Sequence, residues 1–123
     1  MTITQAIERT DSLVPNTYLH PDKLRWLTVL DGRIQREIID RYEGEKTAAL
    51  PEYDEDTVDS TLLVPAPYDE LYVHWLSAMI HYANGEMARY NNSLARFDAE
   101  YIAFARQYAT DHMPRAGGRR FSF

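Results

Sequence analysis

Between Tyr68 and Tyr90 apolar side chains recur every three or four residues, at Tyr68, Leu71, Tyr72, Trp75, Leu76, Met79, Ile80, Ala83, Met87 and Tyr90. That spacing lines one face of an amphipathic helix. Pro67 suits its first position, and Asp69 and Glu70 complement the positive end of its dipole. Asn84-Gly85 lies inside the stripe, which stays in phase past it, so a single helix is predicted through it. Asn91, Asn92 and Ser93 then predict a break, since Asn tolerates a left-handed C-terminal cap and Asn or Ser can cap the next helix. Leu94, Phe97, Tyr101, Phe104, Ala105 and Tyr108 form the following stripe, ending near Asp111. So short a connection predicts an antiparallel helical hairpin.

Upstream, Pro21 opens a third helix with Leu24, Leu27, Leu30, Ile34 and Ile38 as its seam, Trp26 and Ile39 to one side, and Asp31-Gly32 as a place for a kink. Thr2 and Gln5 have the spacing of a capping box, which predicts a short first helix ending around Asp11. The segment from Glu43 to Ala66 has no such period. Its one apolar run, Leu62-Leu63-Val64, suggests a short strand at Thr61 to Val64 in a long projecting loop. From Pro114 on, Gly117-Gly118 and three arginines predict a mobile tail. The fold class is therefore all-α: three long helices and a short N-terminal one form a single domain over 1–114. An acidic loop is inserted at 43–66, and a basic tail follows at 115–123.

Charge sharpens this picture. The chain has 123 residues and a formal net charge of −6. Between Glu43 and Asp59 stand seven acids (Glu43, Glu45, Glu52, Asp54, Glu55, Asp56, Asp59) against Lys46 alone. The rest carries 12 acids and 12 bases. A negative balance argues against a protein that coats nucleic acid. There is no cysteine, hence no disulfide framework and no thiolate chemistry. Met1 to Asp11 is mixed and polar, without the pattern of a secretory signal. No apolar stretch approaches the 18 or so residues of a membrane span. A setting in the cytoplasm, or in an assembly made there, is expected, with no membrane partner.

Candidate chemistry is sparse. His74 and His81 lie two helical turns apart, about 10 Å, too far to share one metal. Glu70 and His74 are an i, i+4 pair that could offer two ligands, but no third stands at helical spacing. Asp54-Glu55-Asp56 lacks the alternating ligands and glycine of a calcium loop. No serine sits in a nucleophile elbow, and no glycine-rich loop joins a strand to a helix. No catalytic residue, cofactor or metal is expected. The surplus is aromatic: nine tyrosines, which fall mostly on core stripes, and Trp26 and Trp75 at stripe edges, where core packing and a subunit contact are both open.

The C-terminal half carries a resemblance. Leu62-Leu63-Val64-Pro65-Ala66-Pro67-Tyr68-Asp69-Glu70-Leu71-Tyr72 leads into a helix, followed by Glu86, Arg89-Tyr90-Asn91-Asn92, Phe97, Tyr101, Tyr108 and His112-Met113-Pro114. This pattern resembles the small helical head–tail connector, or neck adaptor, proteins of long-tailed bacteriophages and prophages. It covers roughly Thr61 to Pro114; the acidic loop and arginine tail have no match in it. The resemblance implies a non-catalytic virion protein located in the neck. Its copies would form a ring, commonly of twelve, on the portal protein. The ring would extend the DNA channel and present a surface to the next neck protein, with DNA only passing through.

On that reading the acidic loop, with Asp54, Glu55, Asp56 and Asp59, projects axially or into the lumen. The tail reaches a neighbouring subunit or the portal, with Arg115, Arg119 and Arg120 meeting acids and Phe121 and Phe123 as anchors. Three alternatives stand beside it: another phage neck or tail-completion protein, a regulatory module of the acidic DNA-mimic type, and a small metal-dependent hydrolase using Glu70, His74 and loop carboxylates.

Overall fold

A computed structural model describes residues 1–42 and 49–112. The predicted tail residues 115–123, and Glu43, Glu45 and Lys46, lie outside the described residues. The described chain is helical. Helix α1 runs Ile3–Leu13, α2 His20–Ile34, α3 Asp40–Tyr42, α4 Glu70–Ala83 and α5 Met87–His112, with a π-helical turn Gln35–Ile39 joining α2 to α3.

Local chemistry sets the ends of α1 and α4. At the start of α1 the Gln5 amide donates to Thr2 Oγ1 and the Thr2 amide donates to Gln5 Oε1, so the capping box forms reciprocally. Helix α4 ends at Asn84-Gly85, where Gly85 has φ +77°. The Gly85 amide donates to the Tyr82 carbonyl and the Glu86 amide to the His81 carbonyl. That double closure is the Schellman arrangement, and it needs a left-handed residue that glycine adopts without a Cβ clash.

The expected continuous helix through Gly85 is therefore wrong, and so is the break at Asn91-Asn92-Ser93, which lies inside α5. The stripe misled because α5 resumes close to the phase α4 left. Burial tells the two apart. Leu71, Tyr72, Trp75, Leu76 and Ile80 are buried, whereas Ala83 and Met87 are exposed. Helix α4 also begins at Glu70 rather than Pro67, after turns in which the Tyr68 amide donates to the Pro65 carbonyl and the Leu71 amide to the Tyr68 carbonyl.

Helices α4 and α5 form an antiparallel hairpin, with Trp75 facing Phe97 at 5.1 Å between ring centroids and Tyr68 facing Phe104 at 6.0 Å. Helix α2 runs antiparallel to α4, and the Trp75 indole N–H donates to the Trp26 carbonyl. The predicted seam Leu24, Leu27, Leu30, Ile34 and Ile38 is buried throughout. The helix is regular at Gly32, and its irregularity falls in the π turn instead. There Asp40 accepts from Gln35 Nε2 and pairs with Arg36. Helix α1 closes the opposite side through Ile3, Ala6 and Ile7, and buried Lys23 meets Asp11 at 2.9 Å.

The described part of the acidic segment does not project. The Ile3 amide donates to the Ser60 carbonyl, Thr4 to Val58 and Leu62 to Met1. Leu62 and Val64 belong to the core, and Tyr53 and Val58 pack against it. The expected strand is reduced to one antiparallel bridge, Thr2 with Thr61, and no strand is present among the described residues. Five acids disguised a stretch whose apolar residues fasten it across α1 and α2.

Candidate functional site

Asp31 is the most buried charged group among the described residues, with none of its surface exposed. Its Oδ1 accepts the Tyr72 hydroxyl at 2.6 Å, and its Oδ2 accepts the Tyr53 hydroxyl at 2.5 Å and the Leu63 amide at 3.1 Å. The Tyr72 oxygen in turn accepts the Val64 amide at 2.8 Å. One carboxyl on α2 thus ties down the 53–64 segment and α4 together. Both phenols are held far above their ordinary range by burial and by the carboxylate beside them, so they remain donors at any working pH. Asp31 and Tyr72 are fully buried, Tyr53 is half-buried, and the polar groups already engage one another. The cluster is a brace rather than a reaction centre.

Burial also pushes the Asp31 carboxyl above its ordinary 3.8, against the pull of its three donors. The folded state then holds that proton more tightly than the unfolded chain. The stability so gained is full below the unfolded value and is lost as pH rises through the raised folded value. Asp31→Asn removes this term. In urea titrations between pH 4 and 7 the gap between wild type and Asp31→Asn should therefore change with pH. Curves that stay parallel would contradict the assignment.

The predicted surface residues separate. Asp54, Glu55, Asp56 and Asp59 are exposed on a tight turn in which the Asp56 amide donates to Asp54 Oδ1 and the Thr57 amide to the Asp54 carbonyl. The Glu55 carboxylate lies 3.1 Å from His20 Nδ1 at the start of α2. This is an acidic knob held against the body. Trp75 is 8 % exposed and packed on Phe97, so of the two roles left open for it the structure shows the core one. Trp26 is half-buried, with its ring edge-on to Tyr18. Arg115, Arg119, Arg120, Phe121 and Phe123 lie outside the described residues.

Of the suggested metal pair, only Glu70 has a partner shown among the described residues. Glu70 accepts from Arg9 at 3.0 Å, and burial lowers the His74 pKa. Among the described residues no group of three or more His, Asp or Glu is placed to hold a metal ion. His81 meets Glu86 at 2.8 Å, and this contact holds the Glu86 carboxyl below its ordinary range. No helix among the described residues is long and apolar enough to cross a membrane.

Three surfaces emerge that periodicity alone did not separate. The outer face of α5, opposite buried Phe97 and Phe104, exposes Ala88, Ala95, Ala99 and Ile102, flanked by Arg96 and Asp98. Helical geometry puts these four on one line, at steps of seven, four and three residues. A different apolar face lies on α2, where Val29 is 52 % exposed beside Leu50 and Pro51 in a shallow groove. At the far end of α5 an apolar groove of about 480 Å3 runs between the helix and the Leu63–Tyr68 turn. No protein-family model, curated protein or solved structure matches the chain.

Proposed function

We propose that the chain is a non-catalytic head–tail connector subunit of a long-tailed phage or prophage, assembling as a ring on the portal in the virion neck. The observation that carries this reading is the aromatic pattern from Leu62 through His112, which runs from the Pro65–Tyr68 turn along the whole α4–α5 hairpin. One part of the pattern changes meaning, because Arg89-Tyr90-Asn91-Asn92 lies within α5 and not at a helix break.

Ring closure requires two unlike faces that meet head to tail. The Ala88–Ile102 line on α5, interrupted by exposed Asn92, and the surface that Val29 of α2 shares with Leu50 are unlike and exposed. Each has charged neighbours, as protein interfaces commonly have at their rims. The acidic knob suits a wall past which DNA slides, since cationic phosphate contacts would add a binding term. The partners on this reading are further copies of the chain, the portal protein and the next neck protein, with DNA only in transit.

A regulatory module of the acidic DNA-mimic type is the reading to separate from it, and the exposed Asp54–Asp59 turn is the observation in its favour. The two differ in symmetry. Negative-stain images and mass measurement of the concentrated chain should show closed rings with more than two copies, commonly twelve. A symmetric dimer at every concentration would count against the connector.

A further inference from the structure

The groove at the end of α5 has Phe104 and Tyr108 along one wall, and Leu63, Pro65 and Tyr68 along the other. Its volume, about 480 Å3, lies in the range of pockets that enclose a small ligand or anchoring side chains. Its polar groups are few. Asp111 stands at the mouth, accepting from Gln107 at 2.9 Å, and His112 stacks on Tyr108 at 3.8 Å. The chain therefore leaves the described residues at the lip of an apolar groove.

The sequence beyond His112 has the complementary chemistry. Residues 113–123 hold Met113, Phe121 and Phe123, three arginines and no acid. The described residues carry 17 acids against 9 lysines and arginines, which are the 19 and 13 of the whole chain less Glu43, Glu45, Lys46 and the three tail arginines. So a +3 segment is joined to a −8 body at the rim of an apolar groove with a carboxylate at its mouth.

We propose that this groove is the docking site of the chain's own C-terminal segment, with Phe121 and Phe123 packed onto its Tyr68 and Tyr108 walls and the arginines toward Asp111 at its mouth. The reach suffices. Phe121 is nine residues beyond His112, up to about 30 Å when extended. Phe104 is eight residues before His112, about 12 Å back along the helix axis. Gly117-Gly118, midway, can take the backbone conformations that a reversal needs.

The same molecule's tail is favoured over a second copy's because a short tether holds it at millimolar effective concentration. A modest apolar contact then fills the groove. This docking stands whether or not the chain assembles into a ring. In a ring it would be the contact that a neighbour must displace.

The chain has no cysteine, so Ser122→Cys accepts a single nitroxide label. In the full-length 15N-labelled protein, paramagnetic broadening should remove the amide signals of Leu63, Tyr68 and Phe104. Reducing the nitroxide should restore them. The same amides should stay sharp in a dilute mixture of nitroxide-labelled 14N chains with label-free 15N chains. Adding Phe121→Ser and Phe123→Ser to the labelled chain should restore the signals while the α1 amides keep their positions. Broadening spread evenly, or confined to the last turn of α5, would overturn the proposal. So would broadening that appears in the mixture, which would assign the groove to a second copy, or broadening that survives the double serine variant.

Discussion

Asp31→Ala should unfold in urea at a much lower concentration than the wild-type chain. The substitution removes the acceptor of two phenols and a backbone amide. A buried donor left unpaired costs about 1–3 kcal/mol. Part of that is returned because the charge that burial disfavours is also gone. A net loss of about 3–5 kcal/mol is expected, a large share of the 5–15 kcal/mol that typically separates folded from unfolded domains.

The damage has a location. Tyr53 and Leu63 belong to the segment that crosses α1 and α2, so the Leu63 amide should lose its protection from hydrogen exchange before the α4 amides do. Asp31→Asn keeps one acceptor oxygen and should cost less. Asp56→Ala removes a carboxylate from the exposed knob of the same segment and should fall within about 0.5 kcal/mol of wild type. If Asp31→Ala cost no more than Asp56→Ala, the Asp31 carboxyl would not be a brace.

The second large effect concerns assembly and should spare the fold. Ala95→Arg with Ala99→Arg puts two cations on the apolar line of α5. Both positions are exposed and helical, and arginine is a good helix former, so the thermal midpoint should stay near that of wild type. At a subunit contact, an unpaired or like-charge group costs several kcal/mol. At about 1.4 kcal/mol per decade, that is well over a hundredfold in association. Rings should therefore disappear from the concentrated variant. Arg96→Ala, on the flank of the line, should keep them. Rings of normal size from the double-arginine variant would remove α5 from the contact.

Much of the fold was legible because it is local. The Thr2–Gln5 box, the Leu24–Ile38 seam and the two aromatic stripes depend on neighbours three or four residues apart; the box and the seam appear as expected, and the stripes hold within α4 and within α5 but not across Gly85. The helix break was misplaced because two local signals competed. Asn91-Asn92-Ser93 looked like a terminus, but Tyr90 packs on Tyr82 before it and Phe97 on Trp75 after it, so both sides are held against α4 and α5 runs straight through. Asn84-Gly85 looked tolerable, but the hairpin needs its reversal there, with Gly85 in the left-handed region.

The brace could not be read at all. Asp31 meets Tyr53, Leu63 and Tyr72, which are 22, 32 and 41 residues away, and in sequence it was only half of an Asp-Gly pair. The acidic segment was partly legible. Its charges mark an exposed turn at Asp54–Asp56, while Tyr53, Val58, Leu62 and Val64 are the signal that it is fastened down. Position alone left Trp75 open between core and contact, because a stripe edge on α4 becomes interior only once α5 lies across it.

The proposed connector role is tested most directly in the particle. In the phage that carries this gene, a null mutant should be complemented with the wild-type chain or with Ala95→Arg/Ala99→Arg, and the particles counted by electron microscopy. A connector should give DNA-filled heads without tails from the uncomplemented null, tailed particles with the wild-type chain, and tailless heads again with the variant. Normal tailed, infectious particles from the uncomplemented null would rule that role out.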